Sequence, residues 1–271
     1  MAFKPLAYMG INISGGHRPY TLAAMDADFH LLAISRGEEL EVLGFCAGLS
    51  SVLVTINAPQ RPNSGLMNNL EFRQKLVPAP NPGRRINMRM AEYEARLHGL
   101  SVPRTPASFV DSPAWMRSGF DLYESLTNLE YKPFPSESAN RQWLESQSEI
   151  FFYALLGAIP FEADSLEGRI QRQLALYDRE LPVSDPMTFF EEVTRYRLLH
   201  SILPTDKIFS PPELNALAMA YVGWLSINEP QKIMHLGAPD EGQITIPVMP
   251  VIDPVRQAST DIHTRSLKRQ F

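Results

Sequence analysis

The chain has 271 residues, of which 44% are hydrophobic and 20% are charged. This usage is typical of a globular protein and excludes a disordered or collagen-like chain. The net charge of −5 excludes a strongly basic, coat-like nucleic-acid binder, although it leaves room for a local basic groove. A single cysteine, Cys46, suits the reducing cytoplasm, and no apolar run approaches the roughly 20 residues that cross a bilayer. We therefore expect a cytoplasmic protein that does not enter the membrane.

The first 60 residues predict three strands, a helix and a fourth strand. Apolar or β-branched runs separated by turn residues predict strands at 6–13, 20–27, 29–35 and 51–57, and helical spacing of apolar residues predicts a helix at 37–49. Short connections make the first three strands an antiparallel meander, and the helix crosses over to a strand parallel to one of them. The pattern predicts a mixed α/β sheet and not the alternating order of a dinucleotide-binding fold.

Residues 60–136 differ from this beginning in composition. They are rich in Pro, Asn and Arg, and the part from 60 to 104 has eight Lys and Arg against three Glu. Apart from a short helix candidate at 89–97, we expect a large irregular insertion over one rim of the sheet. Long irregular segments of this kind often carry function.

The rest of the chain returns to regular elements. We predict a strand-to-helix unit at 141–157, helices at 164–177, 186–203 and 211–225, and a terminal strand at 244–249. Small residues in the last helix allow it to pack closely on a sheet. Residues 1–254 thus form one predicted domain, and 255–271, with four basic residues against one acidic, form a polar basic tail.

Three asparagines stand where an α/β sheet binds its ligands, beyond the carboxyl ends of the strands. Asn12 ends the first strand, Asn57 ends the parallel strand, and Asn215 lies in the first turns of the last long helix, amid apolar residues. We expect the three side chains to mark a site. A purely structural role stays open, because asparagines also hydrogen-bond strand ends and cap turns.

Eight segments between about residues 8 and 248 are specific in combination: YMGINISGGHRPYTLAAMD, SVLVTINAPQRPN, RMAEYEARLHGL with RTP, PAWMRSGFDLYESL, SLEGRIQRQLALY, DPMTFFEEVTRYRLL, PPELNALAMAYVGWL and EGQITIPV. With them the chain resembles a bacterial and archaeal family of unknown function, assigned to the predicted nucleases of the ribonuclease-H-like superfamily. The resemblance implies that superfamily's mixed sheet. It also implies a site in which carboxylates on strand one, the parallel strand and the last helix bind two Mg²⁺ or Mn²⁺ ions for phosphodiester hydrolysis.

The sequence departs from that pattern at the metal site. The positions of the family's aspartates fall on Asn12, Asn57 and Asn215, and a neutral amide cannot offset the charge of a dication. The resemblance therefore implies a catalytically impaired nuclease scaffold.

Two alternatives stay open. An active, divergent nuclease would use Glu92 and Glu145, which fall near acidic positions of the family, with Mg²⁺ or Mn²⁺ as its cofactor. A non-catalytic structural or regulatory module would have a filled cleft. Each glutamate can also be an ordinary solvated charge on a helix face.

Five arginines are candidates for binding nucleic acid. Arg84, Arg85 and Arg89 cluster in the basic insertion, and Arg169 and Arg172 share one helix face. Guanidinium groups bind phosphates in bidentate geometry, so these residues predict nucleic acid as a partner. The alternative is that they form ion pairs with nearby glutamates.

Overall fold

The structure is a computed structural model that describes residues 3–76, 78–80, 86–100 and 102–249. Its strands are β1 (Ala7–Ile13), β2 (Tyr20–Met25), β3 (Leu31–Gly37), β4 (Val52–Asn57), β5 (Lys132–Pro133), β6 (Arg141–Glu145), β7 (Ile233–Leu236) and β8 (Ile244–Pro247). Within the described ranges they form one mixed sheet in the order β3-β2-β1-β4-β6-β8-β7, with β5 beside β6.

Helices cover this sheet. They are α1 (Glu39–Ala47), α2 (Leu70–Gln74), α3 (Met90–Leu97), α4 (Ala114–Asn128), α5 (Ser148–Leu156), α6 (Leu166–Tyr177), α7 (Thr188–Glu192), α8 (Arg195–Leu199) and α9 (Pro211–Asn228). No helix in the described part of the chain is both long enough and apolar enough to cross a membrane.

The first half of the sheet confirms the predicted meander and crossover. β1 pairs antiparallel with β2, β2 pairs antiparallel with β3, and α1 leads to β4, which pairs parallel with β1. The register of β1 and β4 sets Asn12 directly beside Asn57. β6 also lies parallel to β4, so the carboxyl ends of β1, β4 and β6 meet at one edge of the sheet.

The two faces of the sheet bury separate hydrophobic layers because alternate strand residues point to opposite sides. On one face, Tyr8 and Leu53 join a cluster formed largely by α9 and α5. On the other face, Met9 and Val54 pack with residues of α1 and α4, and Cys46 is fully buried there. The sheet is therefore a central layer between two layers of helices.

Gly10 allows α9 to lie unusually close to β1. A Cβ atom at Gly10 would lie 1.9 Å from the Ala216 carbonyl oxygen and 2.4 Å from the Ala220 amide nitrogen. Ala216 and Ala220 are themselves fully buried, which confirms the prediction that small residues in this helix pack closely on the sheet. This close approach brings Asn215, the neighbour of Ala216, to the end of β1.

The predicted irregular insertion at 60–136 is only partly irregular. It holds α4, a helix of 15 residues whose Met116, Phe120 and Tyr123 recur at intervals of three and four residues and are buried. The surrounding Pro-rich composition obscured this period in the sequence. The insertion therefore supplies a structural wall of the fold as well as loops.

The prediction of a single helix at 186–203 was wrong, because the segment forms the two short helices α7 and α8. Val193 is extended, and the side chain of Thr194 accepts a hydrogen bond from the Arg197 backbone N–H, so Thr194 caps the start of a new helix. The strand β7 was not predicted. The predicted basic tail at 255–271 lies outside the described residues.

The contact at Gly10 can be tested with the substitution Gly10→Ala. The added methyl group would collide with backbone atoms of α9, which cannot rotate away, so we expect a loss of about 3 kcal/mol in the free energy of unfolding. Urea denaturation measures this loss. The matched control is Gly44→Ala in α1, where a Cβ meets nothing within 4 Å and the helix should gain about 0.5–1 kcal/mol. Equal stability of both variants would contradict the packing described here.

Candidate functional site

The three predicted asparagines meet at the carboxyl edge of the sheet. The Oδ1 atom of Asn12 accepts hydrogen bonds from the Nδ2 atoms of Asn57, at 2.7 Å, and of Asn215, at 3.2 Å. Asn12 is 4% exposed, and the other two are half-buried. Two strand ends and a helix that is distant in the chain thus contribute to one polar cluster, which we call the amide triad.

The start of α5 fixes the orientation of this triad. The backbone N–H of Ser148 can only donate, and it donates to Asn57 Oδ1 at 3.0 Å. The Nδ2 group of Asn57 must then point to Asn12 and to Ser148 Oγ, which accepts at 3.1 Å. Because Asn12 presents its oxygen, Asn215 has to approach with its nitrogen. All three amide orientations therefore follow from one backbone donor at a helix N-terminus.

This arrangement leaves polar atoms without protein partners. Asn215 Oδ1 and Ser146 Oγ are buried and have no hydrogen-bond partner among the described residues. Both residues line a cavity of about 390 Å³, which also contains Asn12, Asn57 and Ser148 in its lining. A volume of this size lies within the range of about 300–1,000 Å³ typical of small-molecule sites.

A buried arginine with two carboxylates forms one wall of the same cavity. Arg89 donates to both oxygens of Glu145, at 2.6 and 3.0 Å, and its Nε atom lies 3.2 Å from Glu92 Oε1. The three side chains are 2–3% exposed. Burial disfavours the charged guanidinium, but the two carboxylates outweigh burial and raise the pKa of Arg89 above its ordinary value. In this cluster one positive charge is shared by two negative charges, so Arg89 is fully paired and the cluster keeps a net charge of −1.

The same carboxylates also tie loops to the wall. Glu92 accepts from the Thr105 backbone N–H at 2.9 Å and from the N–H of Arg89, while Glu145 accepts from the Gln60 N–H at 3.1 Å. Glu92 and Glu145 are thus neither solvated helix-face charges nor free ligands. The sequence did not indicate that the backbone N–H groups of Ser148 and Thr105 take part in the site. A general signal exists, because the first N–H groups of a helix have no partner within the helix and need an acceptor elsewhere.

Three of the five predicted phosphate-binding arginines are engaged within the protein. Arg89 is buried as described, and Arg172 is 1% exposed and contacts both oxygens of Glu149 at 2.9 and 3.1 Å. Arg169 donates to the carbonyls of Ile208 and Phe209, not to a glutamate. Arg84 and Arg85 lie outside the described residues. The placements of Arg89 and Arg172 correct the expectation that their guanidinium groups are open to a phosphate, because helix spacing does not reveal a partner that burial supplies.

Two other candidates for a chemical role, a group of possible metal ligands and a thiol, lie away from the cleft. Asp26, Asp28 and His30 bring ligand atoms within 4.8 Å of one another at the β2–β3 turn, where Asp26 accepts from the backbone N–H groups of the other two residues. These hydrogen bonds are those of a turn, and the His30 N–H lowers the pKa of Asp26. Burial raises the pKa of Cys46 to about 12, so its thiol stays protonated and unreactive at neutral pH.

The donor groups of the cleft do not fit a pair of divalent cations. The amide triad is uncharged, and Asn12 Oδ1, the central oxygen, is already shared by two N–H donors. The carboxylates of Glu92 and Glu145 neutralise Arg89. Mg²⁺ and Mn²⁺ need several negatively charged oxygens to offset their dehydration. Of the four carboxylates in the described lining, Glu92 and Glu145 pair with Arg89 and Glu149 pairs with Arg172, which leaves Asp164 alone for a pair of cations.

The role of Arg89 can be tested with the substitution Arg89→Met. This change leaves two buried carboxylates without a counter-charge, so we expect the free energy of unfolding to fall by about 3–5 kcal/mol. The matched control is the triple variant Arg89→Met, Glu92→Gln, Glu145→Gln, which removes the charges together and should recover much of that loss. Urea denaturation compares the variants. A triple variant no more stable than Arg89→Met would show that packing, and not charge, holds the wall.

Comparisons with known proteins do not identify this cleft. No family model, no curated protein and no solved structure matches the chain. The function has therefore to be inferred from what the cleft can bind and what its groups can do chemically.

Proposed function

We propose that the chain is a ribonuclease-H-like scaffold that is catalytically impaired at the position of a two-metal phosphodiester-hydrolysis site. Its cleft then binds a ligand without hydrolysing it. The strand order supports the scaffold. Three antiparallel strands, a helical crossover and the parallel strands β4 and β6 follow one another as the sequence resemblance implies. The helix α9 places its polar residue beside the ends of β1 and β4, where the resemblance expects the metal site.

The observation that carries the proposal is the neutrality of the amide triad. Two unit charges interact by about 4 kcal/mol at 4 Å even at an effective dielectric constant of about 20, and by more at the shorter distance of a metal ligand. Replacing three aspartates by asparagines removes three such attractions. The change weakens binding of a dication by orders of magnitude, and without the ion there is no activated water for hydrolysis.

An active nuclease built on Glu92 and Glu145 receives less support. Both residues do line the same cavity as the triad. However, Arg89 already occupies the position between their carboxylates, and a metal ion would have to displace a buried guanidinium that makes bidentate contact. A module with a filled cleft also receives little support, because the cavity of about 390 Å³ is large enough for a ligand.

Nucleic acid as the ligand stays a prediction. Arg89, Arg169 and Arg172 are engaged by the protein itself, so among the five predicted arginines a basic groove would depend on Arg84 and Arg85. A gel-shift assay with the double variant Arg84→Ala, Arg85→Ala addresses this directly. If both arginines bind phosphates, the variant should bind nucleic acid more weakly, and its affinity should depend less steeply on salt. If the variant binds nucleic acid as tightly as the wild type does, Arg84 and Arg85 do not contribute to binding.

The impaired site predicts two linked results with Mn²⁺. Wild-type protein should show no Mn²⁺-dependent cleavage of DNA, RNA or their hybrid. The triple variant Asn12→Asp, Asn57→Asp, Asn215→Asp should melt at a lower temperature without metal, because three carboxylates would repel one another within the triad. Mn²⁺ should restore its melting temperature, and titration calorimetry should give an affinity at least about a hundredfold above that of the wild type.

The matched control is Asn69→Asp, the same chemical change at the exposed cap of α2, where a carboxylate still accepts the Phe72 N–H. It should change neither the melting temperature nor the affinity for Mn²⁺. Robust wild-type cleavage would contradict the proposal. Cleavage that also survived Glu92→Gln and Glu145→Gln would place the reaction away from this cleft altogether.

A further inference from the structure

The cleft offers an unused hydrogen-bond acceptor and an unused donor on two side chains that are hydrogen-bonded to each other. Asn215 Oδ1 is buried and has no partner among the described residues. The Nδ2 group of Asn12, whose Oδ1 receives the Asn215 amide, makes no hydrogen bond within the same ranges. The Ser148 N–H fixes both amides in this orientation, so neither can rotate by 180° to satisfy itself without breaking the triad. Buried polar atoms of this kind are stabilised when a ligand supplies their partners.

Apart from the charged wall around Arg89, much of the cavity lining is apolar, and it includes one aromatic ring. The half-buried side chain of Trp115 lies at the start of α4, and the apolar residues of the lining include Ile13, Ala58, Pro59, Val102, Met116 and Ile244. Apolar walls around a few convergent polar groups are the usual construction of a small-molecule site. A flat ring fits such a space because it can contact an indole face while its edge reaches the floor.

The charges of the cavity oppose an anionic ligand. Four carboxylates line it, those of Glu92, Glu145, Glu149 and Asp164, and the one cation in the described lining is Arg89. Arg89 is neutralised by two of these carboxylates, and Arg172, behind the wall, is paired with a third. Asp164, the fourth, is exposed to solvent. Among the described lining residues, a phosphate would therefore meet a net negative charge and no uncommitted cation.

We infer that the cavity binds an uncharged, planar heterocycle that carries a hydrogen-bond donor beside an acceptor, as a nucleobase or nucleoside does, and that it discriminates against the corresponding phosphate. The donor of the ligand meets Asn215 Oδ1, and its acceptor meets Asn12 Nδ2. This inference rests on the proposed function, because a cleft that held two dications would favour phosphates instead.

The experiment is a binding panel of adenosine, guanosine, cytidine and uridine against their 5′-monophosphates, measured by titration calorimetry without divalent metal. At least one nucleoside should bind about tenfold or more tightly than its monophosphate. The substitution Asp164→Asn should narrow that difference, because it removes a negative charge that the phosphate meets.

Substitution of the acceptor tests the mode of binding. Asn215→Leu should reduce the affinity for the nucleoside at least about tenfold, with the melting temperature recorded to check that the variant is folded. The control is Asn228→Leu on the same helix, whose side chain contacts Tyr8 and Trp224 and does not line the cavity. Should Asn215→Leu fail to fold, Asn12→Asp tests the same donor–acceptor pair, because it removes the Nδ2 donor of Asn12 and should weaken nucleoside binding.

Three results would overturn the inference: no nucleoside binding at millimolar concentration, a monophosphate that binds as tightly as its nucleoside, or nucleoside binding that neither Asn215→Leu nor Asn12→Asp weakens. None of these bears on Mn²⁺-dependent cleavage. A failed binding panel would therefore leave the impaired-nuclease proposal intact, and a cleaving wild type would refute that proposal by a separate measurement.

Discussion

One carbonyl oxygen, that of the Asn12 side chain, accepts hydrogen bonds from two other side-chain amides, and the chemistry of the cleft follows from this sharing. The arrangement requires uncharged amides at positions 57 and 215, because both side chains donate to Asn12. An aspartate at position 57 or 215 would direct a carboxylate toward an acceptor oxygen, and the pair would repel unless a cation or a proton separated them. The asparagines are therefore structurally consistent with one another, and a single change to aspartate at position 57 or 215 is poorly accommodated while the other two amides remain.

The position of the triad follows from the order of the strands. A crossover makes β4 parallel to β1 and sets Asn57 level with Asn12, so two polar residues that end their strands become neighbours. Gly10 then allows the backbone of α9 to approach β1 closely enough for Asn215 to reach the same oxygen. Parallel strands commonly place binding groups at this edge because their carboxyl ends open toward it.

Much of the fold and of the amide triad could be predicted from the sequence, wherever a short-range pattern determines the structure. The first four strands and the crossover followed from apolar runs and turn residues, and the parallel pairing predicted that Asn12 and Asn57 lie at the same edge of the sheet. The resemblance implied that Asn215 joins them. The helix α4 was missed because Pro and Arg around it suggested loops, although its apolar residues recur at helical intervals. The break between α7 and α8 depends on Thr194, which prefers to cap a new helix rather than continue the old one.

The pairing of Arg89 with Glu145 could not be predicted for a different reason. Glu145 is 56 residues away along the chain, and no local spacing indicates that the two meet. Their contact nevertheless decides the charge of the cleft. Glu92 and Glu145 use their oxygens to hold Arg89 and the loops at Thr105 and Gln60, so the charged residues build the wall. The floor is left to neutral amides. This division of roles makes the cleft a poor place for dications and phosphates, and a suitable place for an uncharged ligand that brings its own donor and acceptor.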